Sequence, residues 1–282
     1  MNPSSPVERE RRFAMPVALA AFAAIAVFIL AVIVNQGSDV TGADTDSQFL
    51  TRFDEESGTM LLGTILQAAG MVLVIAPLFY LFQAAAARSD KVRPALVGIT
   101  VAGPLFLAVG TILQWVAFDH AASEFASTGG GLGVPVGEYA DELIKNQGAY
   151  DASQGFTFAG TLGFVVAVAY TALHAMRTGL LTRFWGTLGM ALGVSLLFLG
   201  FVGVLVFILA LGILFAGWWP GGRPPAWEAG KAIPWPRPGE EPADEGRPEP
   251  ADESAEPAEA GSRTAQEGSG PPPRKRKRRR DG

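Results

Sequence analysis

The sequence predicts an all-α fold: a polytopic transmembrane helical bundle of six spans, followed by a disordered C-terminal tail. Between residues 14 and 219 the chain runs repeatedly for about 20 residues without Asp, Glu, Lys or Arg, the length a helix needs to cross ~30 Å of hydrocarbon. Lipid offers backbone amides no water, so each run must close its own hydrogen bonds as a helix. Charge is also segregated. The chain is 49% hydrophobic and 17% charged, yet nearly all the charge lies in the connections and the last stretch of the chain. The net charge of −5 therefore averages an acidic segment against a terminal basic cluster and identifies no partner. There is no cysteine, which excludes disulfides, a thiolate nucleophile and thiolate-held metal. Arginine outnumbers lysine and Ala, Gly and Pro abound, the bias of a GC-rich, bacterial genome.

A short N-terminal segment, residues 1–13, precedes the first span at residues 14–34, with Pro16 near the first turn where its missing amide costs nothing. Arg9, Arg11 and Arg12 ahead of an apolar run also suit a signal peptide. The run exceeds the usual 7–15-residue signal core, however, and no small-x-small cleavage site precedes Asn35; a retained helix is expected. The second and third spans, residues 60–82 and 94–118, are joined by Arg88, Lys91 and Arg93 into a hairpin. Pro77 and Pro104 lie inside them and each removes a backbone bond, which predicts kinks. The fourth span, residues 156–176, ends at Arg177 and Arg183. From 184 to 219 there are 36 residues without a charge, roughly 54 Å as one helix. That length predicts two short helices, residues 184–199 and 203–219, turning near Gly200 and Gly203; a single tilted helix, giving five spans, is the alternative.

Basic residues near span ends face the cytoplasm. Arg9, Arg11 and Arg12, then Arg88, Lys91 and Arg93, then Arg177 and Arg183 place the N-terminus and two connections there. Residues 35–59 and 119–155 hold only Arg52 and Lys145 as Lys or Arg and are expected outside. Six spans return the tail to the cytoplasm of a cell-membrane protein; five would export it. The outer loop contains a stretch, residues 136–147, that reads as a short amphipathic surface helix with Tyr139, Leu143 and Ile144 on its apolar side.

The tail, residues 220–282, is rich in Pro, Glu, Ala and Gly and too poor in apolar residues to offset the entropy of ordering. Trp218 and Trp219 suit an interfacial belt. Trp227 and Trp235, among prolines, read either as an extended segment at the headgroup level or as solvated coil. Arg274, Lys275, Arg276, Lys277, Arg278, Arg279 and Arg280 form the densest charge run. Next to a membrane such a cluster attracts anionic lipid at ~1 kcal/mol per basic residue, or folds onto the acidic stretch at residues 240–267. Nucleic acid, which it would bind by counterion release, is the more distant polyanion.

Within the spans the polar groups are few: Gln67, Gln114 and His174, with Gln83 at an edge. Gln67 and Gln114 suit hydrogen bonds between helices or, with Pro77 and Pro104, a cavity. Gly189 and Gly193 form a GxxxG that lets backbones approach, and Ala159 and Gly163 its looser form. Asp119, His120 and Glu124 lie just outside the third span, and on a continued helix His120 and Glu124 would share a face, but metal binding needs three or four converging ligands. The glycine run at residues 129–133 lacks the spacing of a dinucleotide loop, and no GxSxG, HExxH or P-loop motif occurs. No cofactor and no catalytic residue is implied.

The stretch GLLTRFWGTLG, residues 179–189, resembles the fourth-to-fifth connection of uncharacterised six-helix bacterial integral membrane proteins of unknown function. GRPPAWEAG, residues 222–230, looks like a tail segment of related actinobacterial proteins. The resemblance implies a six-helix layout and supplies no activity and no functional residue. The sequence therefore points to a non-enzymatic membrane protein that works through a membrane-protein partner or anionic lipid, with the tail as its interaction arm. The competing reading is a small-solute transporter or channel built on the second and third spans.

Overall fold

A computed structural model describes residues 6–128 and 136–235, and among these the chain is helical with no strand. The helices are α1 (Pro6–Gln36), α2 (Asp46–Glu55), α3 (Ser57–Ala86), α4 (Leu96–Ser127), α5 (Val136–Lys145), α6 (Gly148–Arg177), α7 (Arg183–Leu199), α8 (Val202–Ala216) and the single turn α9 (Pro225–Ala229). Four of them, over Val7–Gln36, Ser57–Ala86, Leu96–Ser127 and Gly148–Arg177, are long and apolar enough to cross a membrane. Each outruns its apolar stretch. At 30 to 32 residues they reach about 45 Å, longer than the ~30 Å of hydrocarbon that a span has to cross. The helices continue through Pro16, Pro77 and Pro104 without a break.

The interior is filled by large side chains such as Phe82, Phe164, Phe207 and Leu211, but the closest helix contacts are lined by small ones. Ala14, Ala18, Ala21, Ala24 and Ala31 form, with Phe28, the buried face of α1, while Leu19, Ile29, Leu30, Val32 and Ile33 point outward. Lipid tails are as apolar as leucine, so burying leucine gains nothing over leaving it in the bilayer. Close backbone approach and van der Waals packing drive the association instead. The most extensive pairing, α4 with α6, follows the same rule. A Cβ on Gly103 would stand 2.6 Å from the main-chain nitrogen of Phe164, and one on Gly160 would stand 2.7 Å from that of Leu107. On α6 the small residue in contact is Gly160 rather than Ala159, which is exposed; Gly163 borders Gly103 less closely.

The uncharged run at 184–219 is two helices, α7 and α8, turning at Gly200 with φ 64°. Gly189 lies against Phe207 and Ala172, and Gly193 against Val168, so the GxxxG packs α7 onto α6 and α8 within one chain. Trp185 and Trp219 meet at 5.2 Å between ring centroids, marking the level of the open ends. At the tip, Phe201 stacks on Phe28 at 5.0 Å and Phe164 at 5.4 Å. Phe28 precedes Asn35 by seven residues, so the tip stops about 10 Å short of the polar end of α1. Phe198, Leu199 and Val202 are its most exposed side chains, at 82%, 71% and 69%.

The far end is capped by a small apolar cluster. Val40, Leu50, Phe53, Ala121, Phe125 and Leu143 bring together the 3-10 turn Asp39–Gly42, α2, the last turns of α4 and α5. The amphipathic helix expected in the outer loop is α5: Ala140 and Leu143 are buried, and Tyr139 and Ile144 pack against the cluster. Exposed Lys145 donates to Asp141 at 2.6 Å, which holds its ammonium pKa above the usual lysine range. Asp119, His120 and Glu124 are part of α4. Among the described residues no group of three or more His, Asp or Glu converges. The glycine run at 129–133 lies outside the described residues.

Gly160→Leu drives a branched side chain into the main chain of Leu107. A loss of about 3 kcal/mol is expected, read as a lowered melting temperature in detergent. Gly155→Leu on the same helix, where nothing lies within 4 Å, should melt close to wild type.

Candidate functional site: the basic end of the bundle

Three of the basic segments read from the sequence lie at one end of the bundle, together with the root of the tail. α3 ends at Ala86, and Arg88 in the following turn folds back to donate from Nη1 to the Ala84 carbonyl at 2.9 Å. A cation there satisfies an orphan carbonyl and opposes the negative end of the helix dipole. The same guanidinium grips Glu10 of α1 with both arms, Nη1 to Oε1 at 2.6 Å and Nη2 to Oε2 at 2.7 Å. This two-point geometry is the strongest that an arginine and a carboxylate can make. Its Nε donates to the Ala226 carbonyl of α9 at 3.0 Å, and its carbon lies 5.6 Å from the Trp227 ring centroid. The Arg88 side chain is 1% exposed and that of Glu10 13%. One buried charge thus joins α1, α3 and the tail root.

Aromatic rings complete the junction. Tyr80, two turns earlier on α3, donates its hydroxyl to the Glu10 carbonyl at 2.8 Å. Its ring stacks on Trp227 at 5.9 Å and meets the edge of Phe215 from α8 at 4.9 Å. The Trp227 indole donates to the Leu180 carbonyl at 2.9 Å, and the Trp235 indole to that of Leu181 at 2.8 Å. Both acceptors belong to the turn between α6 and α7, whose side chains are buried. Gly179 makes that turn possible. With φ 79° it allows the Leu180 amide to reach back to the Ala175 carbonyl, and any Cβ there would strike the Ile233 carbonyl. Arg223 closes the end of α8, donating to the carbonyls of Leu214 and Phe215.

Residues 220–235 therefore correct the expected tail boundary. They are docked on the bundle: Trp227 is 7% exposed, and the Ile233 amide donates to the Thr178 carbonyl at 3.1 Å. The physical reason is mutual need. The α6–α7 turn presents buried carbonyls without intrahelical donors, and the proline-rich segment supplies indole N–H groups to meet them. Residues 236–282, including the acidic stretch and the Arg274, Lys275, Arg276, Lys277, Arg278, Arg279 and Arg280 cluster, lie outside the described residues.

A cavity of about 460 Å³ adjoins the junction between α1 and α3, and a second of about 660 Å³ opens at the far end beside Arg52 and Phe125. Gln67 and Gln114 are half-buried and Pro77 and Pro104 buried, and none of the four lines either cavity. His174 is buried with its ring against Tyr170 at 4.3 Å. Sequence reasoning took Arg88 as a topology signal and passed over Glu10 and Tyr80. The available signal was a carboxylate among the N-terminal arginines, but nothing in the sequence pairs residues 78 positions apart. No protein family, curated protein or solved structure matches the chain.

Glu10→Ala leaves the Arg88 charge buried and uncompensated, a loss of about 3 to 5 kcal/mol measurable as a fall in melting temperature. Trp227→Ala should release the tail root, seen as faster tryptic cleavage at Lys231 with α1 to α8 still protected.

Proposed function

We propose that the chain is a non-catalytic, multi-pass protein of the cell membrane that fixes both termini on the cytoplasmic face and presents its tail as an interaction arm. The arm acts on anionic lipid, or on a membrane-protein partner, through the basic cluster at residues 274–280. The observation that carries this reading is the bonding of the tail root into the same end of the bundle as Glu10, Arg88 and the α6–α7 turn. Arg9, Arg11, Arg12, Lys91 and Arg93 accompany that end, and the excess of Lys and Arg supports its assignment to the cytoplasm. In this reading six helices enter the membrane. Four cross fully, and α7 and α8 form an antiparallel pair that enters and leaves on the cytoplasmic side.

Solute passage along α3 and α4 is the competing reading, and it would require flux in reconstituted vesicles. The interaction reading is tested with protein in neutral nanodiscs offered to anionic vesicles. Deletion after Gly239 should reduce flotation with the vesicles at least tenfold while leaving insertion intact; unchanged binding overturns the role of the tail. Topology is read by single-cysteine labelling, since the chain has none of its own. Glu142→Cys should react with a membrane-impermeant maleimide in intact cells, whereas Leu199→Cys at the hairpin tip should not. Equal labelling of the two would mean six complete crossings.

A further inference from the structure

We propose that the groove between α1 and α3 at the basic end holds one anionic phospholipid, with its phosphate at Arg9 and Gln83 and an acyl chain along Phe13, Val17, Ala76 and Phe79. These residues line the cavity of about 460 Å³, a volume within the ordinary range of ligand sites. The shape comes from the sequence of α3, where Ala76, Ala84 and Ala87 leave a hollow beside Tyr80. Polarity is graded along it. α1 and α3 are antiparallel, so Arg9 lies level with Gln83 and Ala87 while Val17 lies level with Ala76. From Arg9 to Val17 the floor changes from charged to apolar over about 12 Å, the pattern of a lipid whose head is at the interface.

The chemistry of the mouth selects the head. The Glu10 carboxylate is taken by Arg88, and the Tyr80 hydroxyl by the Glu10 carbonyl. Among the described residues, Arg9 and Gln83 have no protein partner and are left to meet a ligand. Arg11 and Arg12 follow on exposed positions of α1, so the mouth favours an anion. Phe13 and Phe79, 51% and 37% exposed, flank the groove on the outer face of the bundle. A chain already in the bilayer can enter sideways between them. This site depends on membrane embedding but is separate from the basic cluster of the tail.

The test uses full-length protein stripped of lipid in detergent, then exposed to phosphatidylglycerol, phosphatidylcholine or oleate. It is washed in 0.15 M ammonium acetate and weighed by native mass spectrometry, beside a variant with residues 274–280 neutralised that identifies lipid held by the tail cluster. Wild type should retain one phosphatidylglycerol, about fivefold more than phosphatidylcholine, whose choline cation offsets its phosphate, as one basic residue beside a net anionic head predicts. Arg9→Gln, at an exposed position, should bring phosphatidylglycerol down to the phosphatidylcholine level. Ala76→Trp, which fills the groove, should lose both, with a melting curve reporting that it folds. Equal retention of the two lipids by wild type, or unchanged phosphatidylglycerol retention in Arg9→Gln, overturns the proposal. Displacement by oleate overturns the phospholipid assignment. Loss only when residues 274–280 are neutralised overturns the groove and leaves the tail reading standing.

Discussion

The buried guanidinium of Arg88 is the constraint around which the basic end of this molecule is arranged. A charge held at 1% exposure is tolerable only when its hydrogens are matched, and Arg88 finds its acceptors on three separate parts of the chain: Glu10, Ala84 and Ala226. Each acceptor sets a distance. Glu10 fixes the start of α1 against the end of α3, Ala84 ties the cation to its own helix, and Ala226 brings the chain emerging from α8 back across the bundle. Tyr80, Phe215 and Trp227 enclose the pair in rings that exclude water and strengthen the electrostatic attraction. Such a pair contributes little net stability over an apolar substitute. Its value lies in specifying which segments meet.

Away from this end, packing is governed by smallness. The alanine face of α1 and the glycines at the α4–α6 contact let main chains approach more closely than leucine-rich faces would. On α1 the bulky aliphatic side chains face outward, where lipid solvates them as well as protein would, while Phe82, Phe164, Phe207 and Leu211 fill the interior between α3, α6 and α8. The result is a body with rigid helix contacts and an apolar exterior, capped at its far end by the α2, α4 and α5 cluster. A groove can then persist between α1 and α3 because small residues face it from α3 and nothing in the bilayer forces it to close.

Much of the helical layout was legible in the chain. Runs free of charge mark the four long helices, and the excess length of residues 184–219 foretells a pair, with Gly200 at the turn. The period of α5 exposes its apolar side through Tyr139, Leu143 and Ile144. Helix ends were less legible. Hydropathy, which reports solvent, ends the third span at residue 118, whereas α4 continues through Asp119, His120 and Glu124 on its own hydrogen bonds. Gly160 was overlooked for Ala159 because spacing alone cannot tell which side of α6 faces α4. Trp227 and Trp235 drew attention as aromatic residues in a proline-rich setting. Their acceptors, the Leu180 and Leu181 carbonyls, are main-chain atoms that no residue pattern reveals.

Length, apolarity and the distribution of arginine suffice to establish helices of membrane-crossing length and the grouping of basic segments, because these depend on how each segment meets lipid or water. The partnership of Glu10 with Arg88, the seating of Trp227 beneath them and the hollow between α1 and α3 depend on which segments meet each other. Those pairings join residues far apart in the chain, and they exist only once the helices have packed.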